Sequence, residues 1–377
     1  MENVLIKEVQ SPKELNRFLA FPNSLYNDNP FRVPQLFGFE RSILSPAKNP
    51  AHAFCKTKYF LAYDGKRVVG RIVGIIHQRA NEKWNEKMVR FGRIDFMDDI
   101  RVSSALIQAV EDWGKSEGMT AMHGPLGFSD MDLEGMLIDG FDELGTQAVI
   151  YNYPYYPEHL ELLGFKKDVD WVQIEITLPK QVPEKIKRYA ALVSERYDLR
   201  PLKVKKAKDL IPYAKKMFHT LNAAFVDLYG FVQLTEEQID YYIKQYFSIV
   251  KPEYICFVLN KNDDVVGFGI SMPSLSKALI KAKGKLFPFG FIPVLRSLYG
   301  KNELIDMYLI GIHPDYQGKG VHAIFFNEMT QAYINNDIKL AISSPQLANN
   351  SDALKLWKHY EYREHIRRRC FIKHFEP

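Results

Sequence analysis

The chain runs twice through one order of elements, and that repeat constrains its fold more than any other feature of the sequence. In the first half, Tyr59-Phe60-Leu61-Ala62-Tyr63 reads as a strand, Asp64-Gly65 as a hairpin turn and residues 68–76 as a second strand. Ala105, Leu106, Ala109, Val110 and Trp113 recur at helical spacing, and Gly118 closes that helix. A short helix over residues 160–165 then leads to an alternating strand through Trp171, Ile174 and Ile176. The second half repeats the order: a strand over 254–259, a turn at Asn262-Asp263-Asp264 and a strand over 265–270. A strand over 304–312, a helix over 321–333, a strand over 340–343, a helix over 351–360 and a strand or hairpin over 362–375 follow. This order predicts an α/β (α+β) chain of two tandem domains, each a mixed, mostly antiparallel sheet flanked by helices. The prolines of Pro179-Lys180-Gln181-Val182-Pro183 interrupt strand and helix alike, so the expected domains are residues 1–180 and 181–377. A helix from Glu184 to Tyr197 opens the second.

Bulk properties narrow the function classes. A length of 377 residues suits two globular domains, and the composition (46% hydrophobic, 25% charged) shows no disorder-prone block. The 25 Phe and 21 Tyr either fill cores or line apolar channels. Lys+Arg 50 against Asp+Glu 45 gives only +5, which does not call for nucleic acid. The run with Arg367-Arg368-Arg369 reads as the charged face of a terminal strand. Cys55, Cys256 and Cys370 lie far apart, and His52, His77 and His123 lack ligand spacing, so neither a disulfide framework nor a metal is expected. Met1-Glu2-Asn3-Val4 carries no signal-peptide pattern, and no apolar run approaches the ~20 residues that span a bilayer. The expected location is the cytoplasm, with peripheral attachment to a membrane as the other reading.

The sharpest motif follows the strand ending Ile310-Gly311-Ile312. After His313-Pro314-Asp315-Tyr316 comes Gln317-Gly318-Lys319-Gly320-Val321-His322, and then an amphipathic helix. Glycines between a strand and a helix let bare amides turn toward one anion; the helix start adds partial positive charge and Lys319 a full one. A tight turn with no ligand is the plainer alternative, but the strand–loop–helix context favours a phosphate.

This stretch resembles motif A of the GNAT acyltransferase superfamily, Gln/Arg-x-x-Gly-x-Gly/Ala, with His322 at the position usually held by a small residue. A second similarity lies after the 340–343 strand, where Asn349 or Asn350 precedes Ala353-Leu354-Lys355-Leu356-Trp357-Lys358. The resemblance implies that Ile310, Ile312, Gln317, Gly318, Lys319, Gly320, Val321, His322, Asn349 and Asn350 hold acetyl-CoA or a longer acyl-CoA as substrate. It puts Trp357 where a tyrosine often protonates the leaving thiolate, a role an indole cannot fill, so Tyr360, Tyr316, His359 or water would act instead. The first half, from Tyr59 to Trp171, resembles the same superfamily in its order of elements but has Asp98-Asp99 where the glycines belong, and reads as a degenerate copy. Asn49-Pro50, the segment Gly124-Pro125-Leu126-Gly127-Phe128, residues 135–142 and Tyr151-Asn152-Tyr153-Pro154-Tyr155-Tyr156 look like a group of tandem GNAT-like proteins. Some of that group are regarded as long-chain acyltransferases of sphingoid-type amines, as bacterial ceramide synthases are.

Amide formation from a thioester needs a base, a polarised carbonyl and a departing thiolate. Asp306 and Tyr308 stand two apart on the strand entering the loop, which marks Asp306 as candidate base and Tyr308 as an orienting hydroxyl. A turn-capping role for Asp306 is the alternative, and Glu303 and His313 are further candidates. Residues 276–301 join lysines to the run Leu286-Phe287-Pro288-Phe289-Gly290-Phe291-Ile292-Pro293, a pattern open both to membrane-surface contact and to packing as an internal lid. The expected function is acyl-CoA-dependent N-acyl transfer to an amine acceptor, lipid-like or small and polar. A non-catalytic CoA-binding scaffold competes with it, and a transferase fed by charged tRNA is disfavoured by the intact loop.

Overall fold

The structure is a computed structural model that describes residues 4–247, 250–350, 356–357 and 360–376. The first half holds β1 (Val4–Glu8), β2 (Cys55–Asp64), β3 (Arg67–His77), β4 (Met88–Phe96), β5 (Ala121–Gly124), β6 (Met136–Asp139) and β7 (Lys166–Thr177). Its helices are α1 (Pro12–Leu25), α2 (Phe37–Ile43), α3 (Gln78–Trp84), α4 (Ile100–Ser116) and α5 (Tyr155–Leu162). The second half adds β8 (Arg200–Pro201), β9 (Ile255–Leu259), β10 (Val265–Pro273), β11 (Leu304–Ile312), β12 (Leu340–Ile342), β13 (Gln346–Leu347) and β14 (Glu361–His374). With them come α6 (Glu184–Tyr197), α7 (Ile211–Ala224), α8 (Glu236–Tyr246), α9 (Ser276–Ala282), α10 (Phe291–Tyr299) and α11 (His322–Asn335). The expected helix over 351–360 lies mostly outside the described residues.

Local chemistry explains several boundaries. Ser11 and Glu14 cap α1 reciprocally, and Thr235 and Gln238 do the same for α8. Asp99 caps α4 through the Arg101 amide, while Asp98 lies 3.2 Å from His159. The first half therefore starts its helix on a carboxylate where the second half starts on glycines.

Among the described residues all fourteen strands join one sheet, whose main path is β1-β2-β3-β4-β5-β14-β7-β12-β11-β10-β9-β8. The two long strands at its middle are exchanged. β14, the last strand of the chain, pairs with β5 from Phe371↔Gly124 to His374↔Ala121. β7, the last strand of the first half, pairs instead with β12 of the second half, from Leu340↔Thr177 to Ile342↔Glu175. Between them β7 and β14 pair antiparallel along most of their length.

Helices cover both faces. In the second half α7 and α8 bury Phe218, Leu221 and Ile239 against Phe257, Phe268 and Met272 on one face. On the other, α6 and α11 bury Val193, Phe325, Met329 and Tyr333 against Ile305, Met307, Ile174 and Ile176. In the first half α4 and α5 pack Leu106, Val110 and Leu160 on Ile72, Phe91 and Phe371. Burying each such side chain contributes roughly 1.5–3 kcal/mol.

Candidate active site

β11 carries the site, and its register explains how. Ile270 of β10 faces Leu309, but the next pair is Ser271 with Met307, so Tyr308 is an extra residue in a β-bulge. The bulge resets which way the side chains point. Ile305 and Met307 before it, and Ile310 and Ile312 after it, pack in the core under α6 and α11. Tyr308 and Leu309 pack toward α7 and α8, and Asp306, between Ile305 and Met307, points to that same side.

The bulge coincides with a split in the sheet. β11 runs parallel to β12 only over Leu304, Ile305 and Asp306. Beyond Ile342 the chain follows β7: the Ser343 amide bonds Ile174, Gln346 and Leu347 pair with Val172 and Trp171, and the Ala348 amide bonds Asp170. β11 continues along β10 alone. Because the His313 amide bonds Val266 O at 2.9 Å, the alternating ladder turns the Ile310 and Ile312 amides away from β10, into the split.

Past the split the chain enters the glycine loop. Gly318 and Gly320 have φ of 71° and 81°, a region that disfavours any side chain. A Cβ on Gly320 would also lie 2.6 Å from the Tyr189 hydroxyl of α6. Gln317 folds back, its Nε2 donating to Ile312 O at 3.1 Å, and so fixes the loop to the strand end. The amides of Gly318, Gly320, Val321 and His322 have no partner among the described residues. Lys319 Nζ sits 5.4 Å over the Tyr197 ring and 5.1 Å over that of Tyr316, a cation held beside those amides. His322, which opens α11, lies near Phe326; burial lowers its pKa and favours the neutral ring. These features fit a diphosphate.

Asp306 is 1% exposed, and neither carboxylate oxygen has a hydrogen-bond partner among the described residues. Burial pushes its pKa up to about 7. The nearby Ser274 hydroxyl opposes that rise but is oriented to Ser276 Oγ at 3.3 Å, leaving the carboxylate without a bond of standard geometry. The Tyr308 hydroxyl accepts from Gln147 Nε2 at 2.9 Å, and burial, with Asp306 beside it, holds its pKa well above the usual phenol value. Glu303 is an exposed partner of Lys339, and His313 faces Asp315 at 3.7 Å, half-exposed, so neither shares the buried setting of Asp306.

The remaining predicted residues are spread along the split. Asn349 is exposed and Asn350 half-buried where β13 ends, on the far side of the split from β11. Trp357 is core: it packs on Phe326 and donates to Gln346 Oε1 at 3.3 Å. Tyr360 packs beside it on the α11 face, while Asp306 and Tyr308 point to the opposite face. Burial raises the pKa of the Tyr360 hydroxyl. His359 lies outside the described residues. Tyr189, Tyr197 and Gln147 join the site from segments distant in sequence; only their contacts mark them.

The fold that holds this bulged strand, split and glycine loop is a tandem GNAT fold. The comparisons agree. A tandem GNAT protein from the clavulanic acid biosynthesis pathway superposes with a TM-score of 0.57 at 10% identity, over 100% of this chain and 99% of that one. A GCN5-related N-acetyltransferase from Sphaerobacter thermophilus gives 0.54 at 10% identity, over 100% and 97%. Among curated proteins, Protein YghO of Escherichia coli (strain K12) is 28% identical over 319 residues, 83% of this chain and 80% of that protein. The bacterial ceramide synthase of Caulobacter vibrioides (strain NA1000 / CB15N) is 27% identical over 317 residues, 82% and 80% of the two chains. No family model matches the chain.

Proposed function

We propose that this chain is an acyl-CoA-dependent N-acyltransferase whose acceptor is a lipid-like amine. One observation carries the proposal above the rest: a buried carboxylate with no hydrogen-bond partner among the described residues stands where the β11/β12 split begins, on the strand that leads into a loop whose amides also lack partners among those residues. The likeness to a protein named bacterial ceramide synthase supports a lipid-like acceptor. In this reading the CoA diphosphate lies on the Gly318, Gly320, Val321 and His322 amides with Lys319 beside it, and the pantetheine arm lies in the split. The Ile310 amide donates to the thioester oxygen. Asp306, with a pKa of about 7, takes a proton from the ammonium acceptor. The neutral nitrogen adds to the carbonyl carbon; as the C–N bond forms and the C–S bond breaks, the nitrogen gives up its second proton to solvent, and the departing thiolate takes one from solvent or from a tyrosine hydroxyl.

Free-thiol release tests this. The chain is incubated with acyl-CoAs from acetyl upward and with acceptors ranging from small polar amines to long-chain amino alcohols. Thiol release dependent on a long-chain amine supports the reading. Turnover on small amines alone would remove the lipid acceptor. CoA binding without turnover on any acceptor would favour a CoA-binding scaffold, a reading that the packing of Trp357 in the core supports.

The loop supplies a second test. In Gly320→Ala the new Cβ meets Tyr189 and the left-handed φ is strained, so CoA should bind roughly tenfold more weakly by calorimetry. Affinity equal to that of the unaltered chain would take the diphosphate off this loop.

A further inference from the structure

The most unusual surface lies on α10 and the turn that precedes it. Phe287 is 81% exposed, Phe289 71%, Tyr299 70% and Leu295 47%, and Phe291 and Ile292 are exposed beside them. Helices at protein surfaces ordinarily bury their apolar stripe. In α10 the stripe Phe291, Leu295 and Tyr299, at i, i+4 and i+8 with Ile292 alongside, faces outward, and only Leu298 is buried. The inward side of the helix is tied down by polar bonds: Ser297 Oγ donates to Ser274 O at 2.7 Å, and Asn302 Nδ2 donates to the same oxygen at 2.9 Å. The exposed apolar face is therefore held outward by specific contacts.

Within the segment that carries this face, charge is of one sign only. Residues 276–301 contain Lys277, Lys281, Lys283, Lys285, Arg296 and Lys301 and no acidic residue. All six are exposed, and none makes an ion pair among the described residues. Lys251, which pairs with Glu253 at 3.3 Å, lies 5.3 Å over the Tyr299 ring. Aromatic and aliphatic side chains set among unpaired cations match a surface that is anionic outside and apolar just beneath. The anchor of the segment is the backbone of Ser274, whose hydroxyl lies near Asp306. α9 packs Ala278 and Leu279 inward beside that same strand end.

We infer that the 285–301 segment is a docking surface for an anionic lipid bilayer, with its phenylalanines, Leu295 and Tyr299 in the interfacial layer and its lysines on the headgroups. Docked this way, the protein holds the Asp306 side of its sheet next to the membrane. The inference stands without the acyl-transfer reading, because binding to lipid needs no acyl-CoA.

Sedimentation with vesicles tests it, using phosphatidylcholine alone or mixed with phosphatidylglycerol. The full chain should pellet with the mixed vesicles, more weakly in high salt and more weakly still with phosphatidylcholine alone. Phe287→Ser/Phe289→Ser/Leu295→Ser alters exposed side chains only, so its melting temperature should be unchanged, and its vesicle affinity should fall roughly tenfold or more. Lys281→Glu/Lys285→Glu should lose affinity for the mixed vesicles and little for phosphatidylcholine. Equal pelleting of the serine variant and the unaltered chain would overturn the inference. A chain that fails to pellet and is a dimer in solution, made monomeric by the serine changes, would overturn it too, by showing that a second copy covers this face.

Discussion

Asp306→Asn is expected to lower turnover by about 10²–10⁴-fold, the usual contribution of a positioned general base, while leaving CoA affinity unchanged. The separation follows from the architecture. Asp306 lies at the last residue where β11 and β12 are still paired, whereas the loop amides begin at Gly318, beyond the end of β11. In the unaltered chain kcat/KM should climb with pH through about 7, as the buried carboxyl loses its proton. In the variant that limb should be gone. Turnover near that of the unaltered chain at neutral pH, with CoA still bound, would take Asp306 out of the mechanism.

The same substitution should stabilise the fold, and the sign follows from the direction of the shift. Folding raises the Asp306 pKa from about 3.9 in the unfolded chain to about 7. Between those values the folded chain binds the proton and the unfolded chain does not. Stability contributed by this group is therefore complete below about pH 4 and is lost as pH rises to about 7. Three pKa units amount to on the order of 4 kcal/mol, an upper figure for a site that solvent can relax. Asparagine carries no such burden, so the variant should melt higher than the unaltered chain at pH 8, and the gap should shrink at pH 5.5. Equal melting temperatures at pH 8 would mean that the carboxylate finds a partner in solution. A residue that costs stability when ionised, yet is buried beside the split, fits selection for chemistry more readily than for folding.

Much of this was legible in the chain itself, and the limits have physical causes. β11 spans the predicted 304–312, and α6 spans the predicted 184–197, because strand and helix periods are local and the prolines and glycines around them punctuate clearly. The loop was legible for the same reason. The bulge at Tyr308 was not, since it exists only in the register between β10 and β11. Sequence alternation put Asp306 and Tyr308 on one face; the structure agrees, but also swings Ile310 and Ile312 to the other. The Gln147–Tyr308 bond joins residues 161 apart, and no local pattern reports it. Tyr189 and Tyr197 read as two helix residues until α6 is laid against the loop. The aromatic run at 286–293 was plain to see, but only packing could show that Phe287 and Phe289 are exposed.

The exchange of β7 and β14 predicts that residues 181–377, expressed alone, will not fold. A chain beginning at residue 181 keeps β14 but lacks β7, its main partner, and it leaves β12 as an open edge beside the split. It also removes Ile174 and Ile176 from the core formed with Val193, Val258, Ile305 and Ala341. Arg368 adds a sharper cost. It is fully buried, and its bonds go to Gln173 Oε1 at 3.3 Å and to the Gly135 and Ile150 carbonyls, all in the first half. Without them a guanidinium is either stranded in the interior or forces β14 away from the sheet. Two large aliphatic side chains at ~1.5–3 kcal/mol each, with an unsatisfied buried charge, compare with a total stability of ~5–15 kcal/mol. The fragment should therefore show no cooperative melt and rapid amide exchange in β12 and β14. Co-expression with residues 1–180 should recover a soluble complex, because every lost partner of β14 returns with that fragment. A lone 181–377 fragment with a sharp melting transition would show that β14 can find a partner within its own half. The split and the glycine loop would then form a self-sufficient unit, with the exchange serving only to join the halves.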